Sequence, residues 1–309
     1  MKSEQNAFCS ILTKYRLYQF IALYRSLQKL MDKFKLFVLC MDSETYEILF
    51  RLNLGDMALI GLNNLENEQL TTVKPARGMN EYCWTLKPIF LKYVLDSYKD
   101  IERITYMDAD LYFFDTPEKI FNEYNHCSIL LSKHDFLDIY KHVELQCGIY
   151  NSGFISFKAD ENSNKCLDWW EKKCMDWCFD RLEDGKFGDQ KYLEMMSSLF
   201  DGVCDIKTPG ANIAPWNQEK FSFKTVEGEL YVNDSKLIFY HFCGFRMISP
   251  KEYALTVGFD NTLLPGIHDL YLLEIKNAIM DVEEVYPGFD GYFFEGGRIG
   301  QAVFHKIDE

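Results

Sequence analysis

Four segments near the start of the chain alternate in a way that leaves few folds open. Residues 8–13 form a short, largely apolar run, and residues 17–31 place Leu17, Phe20, Tyr24, Leu27 and Met31 at helical spacing. A second apolar run follows at 35–41, then a second helical pattern over 44–52. Apolar strands this short, with little polar alternation, are buried on both faces, which is the situation of parallel strands covered by helices. The expected class is therefore α/β: a mixed, mostly parallel Rossmann-like sheet flanked by helices, with ligands at the carboxyl ends of its strands.

The rest of the chain extends the pattern. Pro88 fits the opening of a helix whose apolar positions include Ile89, Phe90, Tyr93 and Val94. Residues 103–107 read as a strand ending at Asp108, with further strands at 128–131 and 148–157. An aromatic helix over 166–179 carries Trp169, Trp170 and Trp177 as core residues, and 236–241 is read as the last strand. From Pro265, a helix presents Ile267, Leu270, Tyr271, Ile275 and Ile279 on one face before a glycine-rich, aromatic tail. Without repeats or an evident linker, 1–309 is expected to be one domain. It would comprise a nucleotide-binding lobe (1–115), a sugar and acceptor lobe (116–250) and a C-terminal helical, aromatic extension (251–309).

Composition narrows the partners. With 48% apolar residues among 309, the chain can bury a large core. Its 33 basic and 47 acidic residues leave a net charge of -14, so a nucleic-acid backbone would be repelled. The longest apolar runs, such as 36–41, fall far short of the roughly 20 residues that cross a bilayer. Residues 1–6 lack the pattern of a secretory leader, and the expected setting is cytoplasmic. The ten cysteines include no Cys-x-x-Cys pair and sit mostly in apolar stretches, so they are expected to be reduced core residues. Cys174 and Cys178, one helical turn apart, read as packing, with a shared metal as the alternative.

The chemistry concentrates in Tyr106-Met107-Asp108-Ala109-Asp110, where two carboxylates follow an apolar strand and precede another apolar run. Two anions at the end of a buried strand repel each other and are costly to desolvate, so a cation should compensate them. A divalent ion does so most directly; a solvated turn or a helix cap is the plainer alternative. On an acidic chain, such an ion would also reverse the sign of the field that meets a nucleotide diphosphate, acting as Lewis acid and template.

An ordered series of short elements accompanies this motif: Leu86-Lys87-Pro88, Tyr150-Asn151-Ser152-Gly153-Phe154, Gly188-Asp189-Gln190, Pro209-Gly210-Ala211-Asn212 and His241-Phe242-Cys243-Gly244-Phe245. Together they resemble the GT-A glycosyltransferases, in particular retaining enzymes like glycogenin and bacterial lipopolysaccharide galactosyltransferases. The resemblance implies a GT-A fold and transfer of a sugar, with retention, from a nucleotide diphosphate sugar, UDP-sugar foremost, to a glycan, lipid-linked or protein acceptor. By analogy the setting is bacterial cell-surface polysaccharide synthesis. The aromatic C-terminal region would touch the inner face of a membrane or complete the acceptor site.

The same resemblance implies the site. Asp108 and Asp110 would bind Mn²⁺ or Mg²⁺, with His241 as third ligand; a satisfied core histidine is the alternative for His241. A mixed nitrogen and oxygen set suits Mn²⁺ better. Asp189 and Gln190 would stand at the reacting carbon, although Asp189 also suits the cap of a helix over 190–197. Asn151, Ser152 and Gly153, with His134 and Asp135, would meet the donor sugar. Lys87 would meet the sugar or diphosphate, and Ala109 lies between the two carboxylates. Thr13 and Tyr15 would hold base and ribose, helix-face packing being the alternative for Tyr15. Gly244 would let the backbone approach a phosphate. The related pattern places a lysine and a proline soon after that glycine, where this chain has Arg246. Asn212 and Trp216 suit acceptor recognition, an aromatic face packing on a pyranose while an amide reads hydroxyls. Two other functions compete: a sugar-nucleotide pyrophosphorylase, disfavoured by the lack of a glycine-rich basic loop after the first strand, and an inactive carbohydrate-binding protein on the same scaffold.

Overall fold

The computed structural model describes residues 6–293 and 301–307. Residues 1–5, read above for a leader, and 294–300, the heart of the glycine-rich tail, lie outside the described residues. The opening alternation is present: β1 (Asn6–Leu12), α1 (Leu17–Leu30), β2 (Lys35–Cys40), α2 (Ser43–Leu52) and β3 (Met57–Gly61). β1 and β2 are buried along nearly their whole length and run parallel, Ala7 opposite Lys35. Asp42 starts α2 by accepting the Thr45 amide at 2.8 Å.

After α3 (Glu68–Val73), the long α4 (Met79–Ser97) precedes β4 (Arg103–Met107), which pairs parallel to the other side of β1. Then come β5 (Leu111–Phe113), α5 (Glu118–Glu123), β6 (Ile129–Lys133), α6 (Lys141–Cys147), β7 (Tyr150–Lys158), α7 (Glu161–Asp176), α8 (Leu193–Leu199) and β8 (Val203–Asp205). The central sheet runs β3-β2-β1-β4-β7-β6-β8. β7 is antiparallel to both neighbours and the other pairings are parallel, giving the mixed, mostly parallel sheet expected. One face is covered by α4 and α7, the other by α1 and α9 (Ile267–Val285). This sandwiching explains why α1 is apolar almost all round, with Tyr18, Phe20, Ile21, Leu23 and Tyr24 all buried. No described helix is long and apolar enough to cross a membrane.

Beyond the sheet, β9 (Phe223–Val226), β10 (Glu229–Val232) and β11 (Ser235–Lys236) form a small meander, and β12 (Phe239–His241) pairs antiparallel with β5. β13 (Phe245–Ser249), β14 (Glu252–Thr256) and β15 (Ala302–Lys306) form a second meander. The run 236–241 is thus neither one strand nor the last. Leu237 still bonds to Leu230, but the amides of Ile238 and Phe239 turn to the Gly210 carbonyl, at 2.8 and 3.2 Å.

Other expectations are corrected as well. Pro88 lies inside α4 rather than at its start. The helix opens nine residues earlier, where the Glu81 carboxylate accepts the Gly78 amide at 2.7 Å, and burial of Tyr82, Leu86 and Phe90 outweighs the missing donor. α7 spans Glu161–Asp176, so Trp177 lies beyond its end, although Trp170 and Trp177 are buried as expected. On α9, Leu270 faces outward and Glu274 is buried in its place, where Lys29 donates to it at 2.5 Å. The cysteines are not all free: Cys127 and Cys204, with Cα atoms 6.1 Å apart, form a disulfide tying β8 to the start of β6. Spacing in sequence could not reveal this bond, because 77 residues separate the two. Cys174 and Cys178 are wholly buried and pack in the core.

Candidate functional site

The carboxyl end of β4 releases the chain into a tight turn. The Asp108 amide bonds the Gly153 carbonyl at 2.8 Å, and the Asp108 carbonyl accepts the Leu111 amide at 3.2 Å. Asp108 and Asp110 therefore project from one short turn. β5 continues from it, and its pairing with β12 sets His241 opposite Leu111. This register brings a histidine from far along the chain to the two aspartates: His241 Nε2 lies 3.1 Å from Asp110 Oδ1. Ligand-capable atoms of Asp108, Asp110 and His241 all lie within 4.8 Å of one another.

Gly153 is the floor of this cluster. A Cβ there would come within 2.7 Å of His241 Cε1, 2.8 Å of Asp108 Oδ2 and 2.7 Å of Asn151 Oδ1. Only glycine leaves room for the three side chains to converge. The residues fit a divalent ion: the donor set is two carboxylates and an imidazole, and the second ring nitrogen of His241 is buried without a hydrogen-bond partner.

A cleft of ≈ 410 Å³ opens over the cluster, large enough for a small ligand. On its wall, Lys87 from α4 is almost wholly buried. Its Nζ lies 2.9 Å from Ser152 Oγ, 3.3 Å from Asp108 Oδ1 and 3.5 Å from Asp189 Oδ2. One ammonium is shared by two carboxylates, and the consequences follow from that. Burial alone would lower Lys87, but the two aspartates raise it above its ordinary value. Burial pushes the Asp189 carboxyl up, with Lys87 only partly opposing. Burial also acts to raise Asp110, yet His241, Arg16 and Arg246 outweigh it and hold that carboxyl well below the usual range. Burial and the neighbouring Arg16 push Arg246 down to about 10.

The structure gathers Thr13, Lys87, Asp108, Ala109, Asp110, Asn151, Ser152, Asp189, Gln190 and His241 around this one cleft. Asp189 does not act as a helix cap. It has helical backbone angles with no capping bond from its side chain, and a short 3-10 turn precedes α8. Gln190 is anchored by donating to the Cys147 carbonyl at 3.0 Å.

Other expected residues fall elsewhere. Tyr15 is partly exposed against the ring of Phe293, 5.5 Å away. His134 is buried behind the wall, where its Nε2 meets Asn151 Nδ2 at 3.3 Å, and burial pushes it down to about 3; Asp135 pairs with Lys220. Gly244 uses its positive φ of 85° to turn into β13, its carbonyl bonded by Thr256, and does not line the cleft. Trp216 is 2% exposed, with the rings of His134 and His241 near-perpendicular to its own at 5.1 Å, so it offers no open face to a pyranose. Asn212 donates to the Lys133 carbonyl and faces a separate pocket. The aromatic and amide pattern of 210–217 read the same whether it met a ligand or the core.

Two cations that the sequence reading missed or left unassigned join the site. Arg16, in the turn after β1, lies 3.5 Å from Asp110 Oδ2, and Arg246, at the start of β13, lines the same cleft. Their signal in sequence was slight: a basic residue just past a strand end.

This sheet, with its carboxylate pair at the rim of β4, is the scaffold of the GT-A glycosyltransferases. The galactosyltransferase LgtC, solved in complex with donor and acceptor sugar analogs, superposes with a TM-score of 0.55 over 91% of this chain and 96% of its own, at 11% identity. The bifunctional glycosyltransferase WbbM, in its apo structure, gives 0.54 over 91% of this chain and 52% of its own, at 9% identity. No protein-family model matches the chain. By sequence it belongs to one family with the uncharacterized proteins YfnF and YfnD of Bacillus subtilis (strain 168). It is 42% identical to YfnF over 93% of this chain and 97% of YfnF, and 30% identical to YfnD over 97% and 98%.

Proposed function

We propose that the chain is a metal-dependent glycosyltransferase that moves a sugar, with retention, from a nucleotide diphosphate sugar to a saccharide or lipid-linked acceptor. The observation that carries this reading is the convergence of Asp108, Asp110 and His241 at the mouth of a cleft walled by Lys87 and Asp189. Those three residues would hold Mn²⁺ or Mg²⁺. When bound, the ion supplies positive charge to the diphosphate and to the anion that leaves with it. That LgtC was solved with sugar analogs supports a donor and an acceptor in a site of this kind.

The chain's own residues would do the rest. Lys87 fixes the Asp108 and Asp189 carboxylates, and Asn151 and Ser152 offer polar atoms to sugar hydroxyls. Asp189, poorly compensated and buried, places negative charge where an oxocarbenium-like centre develops. A uridine donor, polysaccharide synthesis and a cytoplasmic location are parts of the same proposal. So is contact with a membrane's inner face, to which α9 offers the exposed Leu270, Leu273 and Met280.

The test is transfer or hydrolysis measured across a panel of nucleotide sugars. Activity with at least one donor should require Mn²⁺ or Mg²⁺ and vanish in Asp110→Asn. Turnover that persists through both EDTA and this substitution would sink the reading.

A further inference from the structure

The bond between Cys127 and Cys204 has a histidine beside it. His126 is exposed at the surface, and one of its ring nitrogens lies within 4.8 Å of both sulfurs. Among the described residues, no other cysteine joins a histidine in such a three-ligand group. Backbone contacts hold the two cysteines in place. The Cys127 amide donates to the Tyr124 carbonyl at 2.9 Å, and its carbonyl accepts Arg103 Nη2 at 2.5 Å. Cys204 is the middle residue of β8, opposite Leu130 of β6. With their Cα atoms 6.1 Å apart, the two sulfurs therefore stay neighbours when the bond between them opens.

Two thiolates and an imidazole are the soft donor set that selects zinc, unlike the carboxylate-rich cluster at Asp108 and Asp110. Tetrahedral zinc holds its sulfurs roughly 3.8 Å apart, a separation that the opened pair can reach. The ion's charge balances both thiolates, so the wholly buried Cys127 sulfur is compensated, and a fourth position on the exposed His126 side is left to water. In the disulfide neither sulfur is a thiolate, and only the thiolate is a ligand.

We propose that His126, Cys127 and Cys204 form a zinc site that exists only in the reduced chain, so that the clasp on β8 is a covalent bond under oxidation and a metal bridge under reduction. A dithiol reductant passes two electrons to the S–S bond, which opens to two thiols while the reductant closes to its own disulfide. Zinc then bonds both sulfurs and the His126 nitrogen, and the two thiol protons leave to solvent. The clasp acts beyond its edge of the sheet: Asp205, next to Cys204, accepts the Tyr150 hydroxyl at 2.7 Å, and Tyr150 leads into Asn151 and Ser152 of the cleft. None of the three ligands lines that cleft, so the zinc site is independent of the reaction performed there.

The test is Co²⁺ titration of the full chain, which reads sulfur ligation as a thiolate-to-metal charge-transfer band in the near ultraviolet, followed by displacement with Zn²⁺. The reduced chain, kept from air, should show the band at about one equivalent of Co²⁺, and Zn²⁺ should displace it with an apparent Kd of about a micromolar or tighter. The oxidised chain should show no band. Cys204→Ser should abolish it, and Asp110→Asn, in the other cluster, should keep it. His126→Ala, a surface change that guards against misfolding in the serine variant, should still form the disulfide but bind Zn²⁺ about tenfold more weakly or worse. It should also gain less in melting temperature from Zn²⁺ than the reduced parent does. A reduced chain without the band, a band equal in the oxidised chain or in Cys204→Ser, or Zn²⁺ affinity unchanged by His126→Ala would overturn the proposal.

Discussion

The ammonium of Lys87 stands 3.5 Å from a carboxylate oxygen of Asp189, and both side chains are almost wholly buried. Asp108 shares the same ammonium at 3.3 Å, so Lys87 is the hinge of the charge balance in the cleft. Lys87→Met leaves two carboxylates facing each other without their shared cation. We expect a loss of about 3 kcal/mol or more of stability in urea unfolding, together with loss of transfer. A variant with an unchanged midpoint would contradict this.

Asp189→Asn separates stability from function. Burial disfavours the charged carboxylate, and Lys87 keeps Asp108 as its partner, so the variant should be as stable as the parent or more so. Its kcat should fall by about a hundredfold or more if the charge acts on the reacting carbon. Equal activity in a folded protein would remove Asp189 from the chemistry.

Gly153→Ala crowds the floor of the Asp108, Asp110 and His241 cluster, with contacts of 2.7 and 2.8 Å to His241 and Asp108. The expected cost is about 1–3 kcal/mol of stability, with a larger effect on Mn²⁺ affinity because the ligands must part. Titration followed by electron paramagnetic resonance of Mn²⁺ measures that second effect. Unaltered affinity would show that the ion sits elsewhere.

Two buried histidines predict sensitivity to acid. Burial holds His268 down to about 4, with its Nδ1 accepting the Leu264 amide at 2.9 Å, and burial with His241 nearby holds His134 down to about 3. Both folded values lie below the unfolded value near 6.5, so the unfolded chain takes up these protons first. Stability is therefore full above about pH 6.5 and falls as the pH drops toward 4, each group contributing up to about 1.4 kcal/mol per pH unit. Urea midpoints between pH 7.5 and 5 check the slope, which His268→Gln should reduce; a flat profile would refute it.

Chemical labelling can test the Cys127–Cys204 bond directly. Denatured without reductant, the chain should alkylate at its eight other cysteines and not at all ten. Reduction should lower stability by about 2–4 kcal/mol, since the bond closes a long loop and β8 pairs with β6 at only three positions.

The alternation of β1, α1, β2 and α2 could be read from periodicity because each segment's own residues report whether its faces are buried. The position of Asp108 and Asp110 at the end of β4 was legible for the same reason: a strand's end is a local property. Lys87, Asn151, Ser152, Asp189 and Gln190 were singled out only because their order resembled a known series, and the fold sets all five along one cleft. Trp216 shows where composition misleads, since an indole suited to a sugar face is equally suited to packing in the core with the rings of His134 and His241.

What the chain determined by itself was the set of elements, the sheet they form and the edge at which charge collects. The tertiary structure decided which distant residues meet there. His241 reaches Asp110 through the register of β12 on β5, and Arg16 meets Arg246 at a carbonyl neither could be seen to share. Local patterning encodes burial residue by residue, whereas long-range register depends on how all the intervening loops close, and no single segment carries that information.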